Sequence, residues 1–273
     1  MSNYIEFQEF SFSSVTDSVK TEANAFNLIS KNNVNLKENI YIGIPLADII
    51  NKLGLKTAQS VIDRIESKIK QKKIFVCQHI FVNKLNFYNN TVFTPHAELS
   101  DSFKIIPHYN LYFKKQDYKE FIKRKCLVSF LGALNSHPTR MQLKNINSDL
   151  TPILDTGSWH FEKQKFEQEK NSALYKKLLV NSKFSLCPRG TGANTIRFYE
   201  SISIGSIPII FNDIKVPIEI KDCVIRYDIN NIRNLTNYLE TVNNAGEMSQ
   251  ILYNFYWNNY DNNIIHKLIE SHV

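Results

Sequence analysis

The chain has 273 residues, 43% of them hydrophobic, enough apolar material for one large domain or for two of about 120–150 residues. Its formal net charge of +7 favours anionic partners. The four cysteines follow no metal-ligand spacing, no apolar run reaches the ~20 residues of a membrane span, and "MSNYIEFQEF" lacks the pattern of a signal peptide, so the expectation is a soluble, cytoplasmic protein.

The first 40 residues are weakly patterned and read as an irregular start with one helix near 20–31. "KENIYIGIP" is a short strand. "LADIINKLGLKTAQSVIDRIESKIKQ" carries apolar residues at helical spacing, among them Ile49, Ile50, Leu53, Val61, Ile62, Ile65 and Ile69. "KKIFVCQHI", "NTVFTPHA" and "FKIIPHYN" follow as strands, the last two ending in histidine-containing turns at His96 and His108. The basic runs "KIKQKK" (68–73) and "KKQDYKEFIKRK" (114–125) read as solvated helix faces. Neither has the aromatic interleaving of a single-strand groove, so no nucleic-acid partner is expected. "CLVSFLGAL" is a buried strand stopping at Gly132, and Pro138 can open the next helix. "TPILDTG" is a strand, "EQEKNSALYKKLLVNS" an amphipathic helix, and "CVIRYD" a further strand before helices that run from about 230 to the end. Helix and strand in alternation predict α/β architecture with parallel sheets. The halves read as two units, 1–113 and 127–273, with the C-terminal helices able to return to the first.

The most informative stretch is "SKFSLCPRGTGANTIRFYESISIGSIPIIFND", from Ser182 to Asp213. An apolar strand delivers the chain to a loop at the carboxyl edge of a parallel sheet, where open α/β sheets bind ligands. Gly190 and Gly192 let backbone approach a ligand closely, and Asn194 or Thr195 is placed to cap the helix read in "NTIRFYESIS". The N-terminus of that helix suits phosphate, with Arg189 and Arg197 adding charge and bidentate hydrogen bonding. Glu200, three residues after Arg197, is placed to accept from the two hydroxyls of a ribose. The competing reading is plainer: Arg197 and Glu200 as an ordinary surface pair worth a few tenths of a kcal/mol, and two turn glycines. The order strand, Arg-Gly loop, helix with Glu, Gly205, Pro208-containing strand favours a nucleotide-diphosphate site.

The same stretch resembles the signature of the exostosin-like glycosyltransferases, Ser-x-Phe-x-Leu-x-Pro-x-Gly, then Arg-x-x-Glu, then Gly-x-x-Pro-Val, here Ser182, Phe184, Leu186, Pro188, Gly190, Arg197, Glu200, Gly205 and Pro208. Upstream, "LVSFLGALNSHPTR" is similar to the family's Phe-x-Gly segment with a downstream Arg, here Gly132 and Arg140. In the amino half "TVFTPHAELSD" resembles the segment around a His-Asp pair, with Ala97 standing where the family has the acid.

The resemblance implies a GT-B fold, two Rossmann-like domains facing across a cleft, with the donor in the C-terminal one. It implies an inverting, metal-independent hexosyl- or pentosyltransferase using a nucleoside-diphosphate sugar, most often a UDP-sugar, as co-substrate and no separate cofactor. The acceptor expected is a glycan or glycolipid of surface polysaccharide synthesis, with peripheral membrane association where it is lipid-linked. Without a metal, Arg140, Arg189 and Arg197 must neutralise the leaving diphosphate. The base on the acceptor hydroxyl is first His96, then His108, with Asp155 and His160 as further options; Trp159 either stacks on a sugar or packs. A non-catalytic nucleotide- or glycan-binding module of the same fold is the alternative.

Overall fold

The computed structural model describes residues 4–6, 10, 12, 20–99, 101–158, 164–211 and 214–273. The chain divides into two compact units, Met1–Tyr109 with Asn259–Val273, and Asn110–Asn258.

The first unit is built on a parallel sheet of β1 (Tyr4–Glu6), β2 (Ile40–Gly43), β3 (Lys73–Val76), β4 (Thr91–Thr94) and β5 (Lys104–Ile105), in that spatial order. Its three central strands are buried on both faces, which is why they read as continuous apolar runs rather than alternating ones. Successive residues point to opposite sides. Ile40, Ile42, Phe75 and Val92 pack with Ile49, Val61, Ile62 and Ile65 of helix α2 (Leu46–Lys68). Tyr41, Ile74, Val76 and Phe93 pack with Ala25, Phe26 and Ile29 of α1 (Lys20–Lys31) and with Ile265 and Ile269 of the last helix, Ile265–Glu270. The structure differs from the sequence reading in two places. Tyr4–Glu6 forms a strand paired with Tyr41–Gly43, and three residues are too few to show a period. Helix α2 is broken at Gly54, whose φ of 83° is open to glycine and costly for other residues.

In the second unit β6 (Cys126–Gly132), β7 (Ile153–Asp155), β8 (Ser182–Leu186), β9 (Ile207–Ile210) and β10 (Ile225–Arg226) form a parallel sheet ordered β10-β9-β8-β6-β7. Helices α3 (Pro138–Gln142), α4 (Lys165–Asn181), α5 (Ile196–Ser203), α6 (Leu235–Glu240) and α7 (Ala245–Phe255) connect and cover it. The chain lays β7 on one side of β6 and β8 on the other, so the winding direction reverses between β6 and β8. At such a reversal the loops leaving neighbouring strands diverge and open a crevice at the carboxyl edge. The α/β class with two parallel, Rossmann-like sheets is therefore as the sequence predicts.

Two details fix the opposite, amino edge of this sheet. Helix α5 ends in a Schellman motif: Ser206 N–H donates to Ser201 O at 2.9 Å and Gly205 N–H to Ile202 O at 3.1 Å, with Gly205 at φ 70°. Arg124, expected on a solvated face, is buried instead. Its guanidinium donates to Lys119 O, Ser182 O and Ile204 O, tying the start of β8 to the end of α5. A run of basic residues does not reveal which of them meets free carbonyls inside the fold.

Candidate active site

The loops leaving β6 and β8 meet through Arg140. Its Nε donates to Arg189 O at 3.0 Å, Nη1 to Ala133 O at 3.3 Å and Nη2 to Pro188 O at 3.4 Å. Gly190 has no left-handed backbone requirement. A Cβ there would come within 2.9 Å of Arg140 Nη2, so this glycine leaves room for the guanidinium. Burial, and then the neighbouring Arg197, lower the Arg140 pKa to about 10.

Arg197 lies in the first turn of α5 and is only 7% exposed. Its guanidinium carbon is 4.2 Å from the centroid of the Phe130 ring and 5.3 Å from that of Tyr175. Nη2 donates to Leu131 O. Gly132 is small for a related reason, since a Cβ would lie 3.2 Å from the Phe130 ring and 3.3 Å from Arg197 Nη2. Among the described residues no carboxylate forms an ion pair with Arg140, Arg189 or Arg197. The buried Nε atoms of Arg189 and Arg197 have no hydrogen-bond partner. Such groups are costly to leave unmatched unless something supplies the missing acceptors.

Glu200, one turn further along α5, is 1% exposed. Its Oε2 accepts from the Tyr175 hydroxyl at 2.5 Å, while the buried Oε1 has no partner. Burial pushes the carboxyl pKa up to about 7 against the opposing effects of Tyr175 and Arg197. The plain alternative of an exposed Arg197–Glu200 pair is therefore overturned, because both side chains are inside. Thr195 occupies the N-cap position but makes no side-chain cap bond. Asn194 Oδ1 accepts from Thr195 N–H at 2.8 Å, and Asn194 Nδ2 donates to Tyr199 Oη at 3.2 Å. Gly192 is buried in the same loop.

The second unit thus holds Arg140, Arg189, Gly190, Gly192, Asn194, Thr195, Arg197 and Glu200 around the reversal between β6 and β8. His96 and His108 belong to the first unit, beyond the ends of β4 and β5. Their rings meet edge to face with centroids 5.1 Å apart. Burial, then His96, holds His108 well below the usual histidine range. Asp155 is exposed and accepts from Gly157 N–H in its own loop and from Leu134 N–H in the segment leaving β6. Trp159 and His160 lie outside the described residues.

Sequence reasoning missed three contributors. Phe130 and Tyr175 contact Arg197, and Tyr175 also holds Glu200. His137 caps α3 through Nδ1, which accepts from Thr139 N–H at 3.2 Å. Its pKa is lowered by burial and then by Arg189 and Arg140. The available signal was weak: each sits in a segment already assigned, but only the fold brings it to the arginines.

The sequence model of the Exostosin GT47 domain matches residues 60–242, about two thirds of the chain. The chain belongs to this family. Ribitol-5-phosphate xylosyltransferase 1 of Homo sapiens is 33% identical over 95 residues, and that of Mus musculus 32% over 95 residues. Each match takes in 32% of this chain and 20% of the relative, so this GT47 chain spans about a fifth of those curated proteins. In a comparison of structures, TarM is similar at 15% identity and a TM-score of 0.38, over 82% of this chain and 59% of TarM. No helix among the described residues is long and apolar enough to cross a membrane.

Proposed function

We propose that this GT47 chain is an inverting glycosyltransferase that moves a sugar from a nucleoside-diphosphate sugar, a UDP-sugar foremost, to a glycan or lipid-linked acceptor of surface polysaccharide synthesis. The observation that carries the reading is the combination at the β6/β8 reversal: three arginines that form no ion pair with a carboxylate among the described residues, beside a buried glutamate with one unpartnered oxygen. Diphosphate oxygens answer the first need, and ribose hydroxyls the second. Arg140, Arg189 and Arg197 stabilise the charge that develops as the bond from the anomeric carbon to the diphosphate breaks, so the leaving group needs no divalent ion. Glu200 Oε1 accepts from the ribose. Backbone at Gly190, Gly192, Asn194 and Thr195 completes the phosphate side at the start of α5.

In an inverting transfer the acceptor oxygen attacks the anomeric carbon opposite the leaving group and gives its proton to a base. His96, with His108 beside it, is the base we propose. The relatives' name specifies xylosyl transfer, which makes a pentosyl donor the first to try, and ribitol 5-phosphate shows that an acceptor can be anionic. The net charge of +7 suits an anionic acceptor or anionic headgroups at the cytoplasmic face of a membrane.

Titration calorimetry with UDP, GDP, CMP and ADP tests the reading, alongside Glu200→Ala and Arg189→Ala. Binding of UDP by the wild type, lost in both variants at nearly unchanged melting temperature, supports it. GDP or CMP binding instead keeps the site and changes the donor class. Failure of all four to bind refutes it. Tight nucleotide binding without turnover on any acceptor points to a binding module, the reading favoured by Ala97 at the family's acidic position.

A further inference from the structure

We propose that Tyr175 is the positioning residue of the donor site, its hydroxyl holding one oxygen of Glu200 so that the other is presented to the ligand while its ring lies against Arg197. The inference rests on the nucleotide-binding reading above and names a residue outside the loop and helix that carry it.

Tyr175 lies on α4, 25 residues before Glu200. A phenol has a single hydrogen to give and a carboxylate only lone pairs, so in the 2.5 Å contact Tyr175 donates and Glu200 Oε2 accepts. That bond removes the carboxylate's freedom to rotate and leaves Oε1 as the unsatisfied acceptor. The Tyr175 ring is itself held, edge to face, by Tyr112 and Phe113 at centroid distances of 6.1 Å each. It also lies 5.3 Å from the Arg197 guanidinium carbon. One side chain therefore touches both the group assigned to the ribose and a group assigned to the diphosphate. The ionisable groups facing Glu200 are Tyr175 from α4, Arg197 on its own helix and the buried Cys187 thiol after β8. Of these, Tyr175 and Arg197 both favour the ionised carboxylate.

Tyr175→Phe keeps the ring and its packing and removes only the hydroxyl. The expected result is that the Glu200 carboxyl, followed by carbon NMR and assigned with Glu200→Gln, titrates about one pH unit higher in the variant. UDP affinity should then fall about 5- to 10-fold at pH 7 and by a clearly smaller factor near pH 9, where Glu200 is ionised again but no longer oriented. A merely structural role would lower affinity equally at all pH values, and coincident Glu200 titrations in the two proteins would overturn the proposal. Failure of the wild type to bind any nucleotide sinks the donor-site reading instead; the NMR titration of the unliganded protein still decides the role of Tyr175.

Discussion

Replacing Gly190 by alanine tests the site with one methyl group. The backbone at Gly190 lies outside the left-handed region, so alanine adds no torsional strain, and the new Cβ would meet Arg140 Nη2 at 2.9 Å and Cζ at 3.3 Å. Ordinary contact begins near 3.4 Å, so the guanidinium must retreat by about half an ångström. Its bonds to Ala133 O and Pro188 O, at 3.3 and 3.4 Å, are already long and will not survive that movement. Two long bonds from a charged donor are together worth about 1–2 kcal/mol, which sets the scale of the disturbance. Calorimetry should show UDP binding weakened about 5- to 30-fold, with a melting temperature lowered by only a few degrees. Gly246→Ala in α7, where a Cβ meets nothing within 4 Å, is the control and should bind as wild type. Full affinity in Gly190→Ala would show that Arg140 does not contribute to the phosphate side, and the reasoning would fail.

Gly205→Ala should be far more damaging: φ is 70° and the Cβ would lie 2.7 Å from the Ser249 carbonyl oxygen, so a loss of roughly 3 kcal/mol or more is expected in urea unfolding; a change below 1 kcal/mol would contradict this placement. Arg124→Met removes the donors to two buried carbonyls and a half-buried one and should cost about 3 kcal/mol, read by the same assay, whereas an exposed Lys125→Met should be near neutral. Glu22, buried and accepting from Ala47 N–H and Gln78 N–H, has its pKa pushed up from 4.5 to about 8 by burial first. The folded state then holds that proton more tightly than the unfolded one, so stability is greatest at low pH and falls as pH rises from about 4.5 to 8. Between pH 5 and 7 the wild type should lose about 2–3 kcal/mol from this group, and Glu22→Gln should flatten the slope; parallel curves would refute it. His96→Gln should abolish sugar transfer and leave UDP affinity within about twofold, and retained turnover would remove His96 from the mechanism.

How much of this was legible beforehand differs from residue to residue. The strands on either side of the Arg-Gly loop and the stop at Gly205 could be read directly, because glycine φ and proline placement act through near neighbours in the chain; α1 and α4 could be placed, but the periodicity of α4 is weak. Arg189, Arg197 and Glu200 could be nominated from residue type and spacing, since phosphate and ribose recognition demand such groups at a strand-to-helix turn, and Arg140 from the family resemblance. Spacing could not say whether Arg197 and Glu200 face water. Burial is decided by what packs over a helix, here Phe130 from β6 and Tyr175 from α4, residues 67 and 22 positions away from Arg197. The same holds for Arg124, whose carbonyl partners come from the ends of β8 and α5, and for Gly190, whose small size answers to a guanidinium 50 residues upstream. Local chemistry is written along the chain. The ionisation of Glu200 and the positions of the guanidiniums depend on which distant surfaces exclude water around them, and only the folded chain decides that.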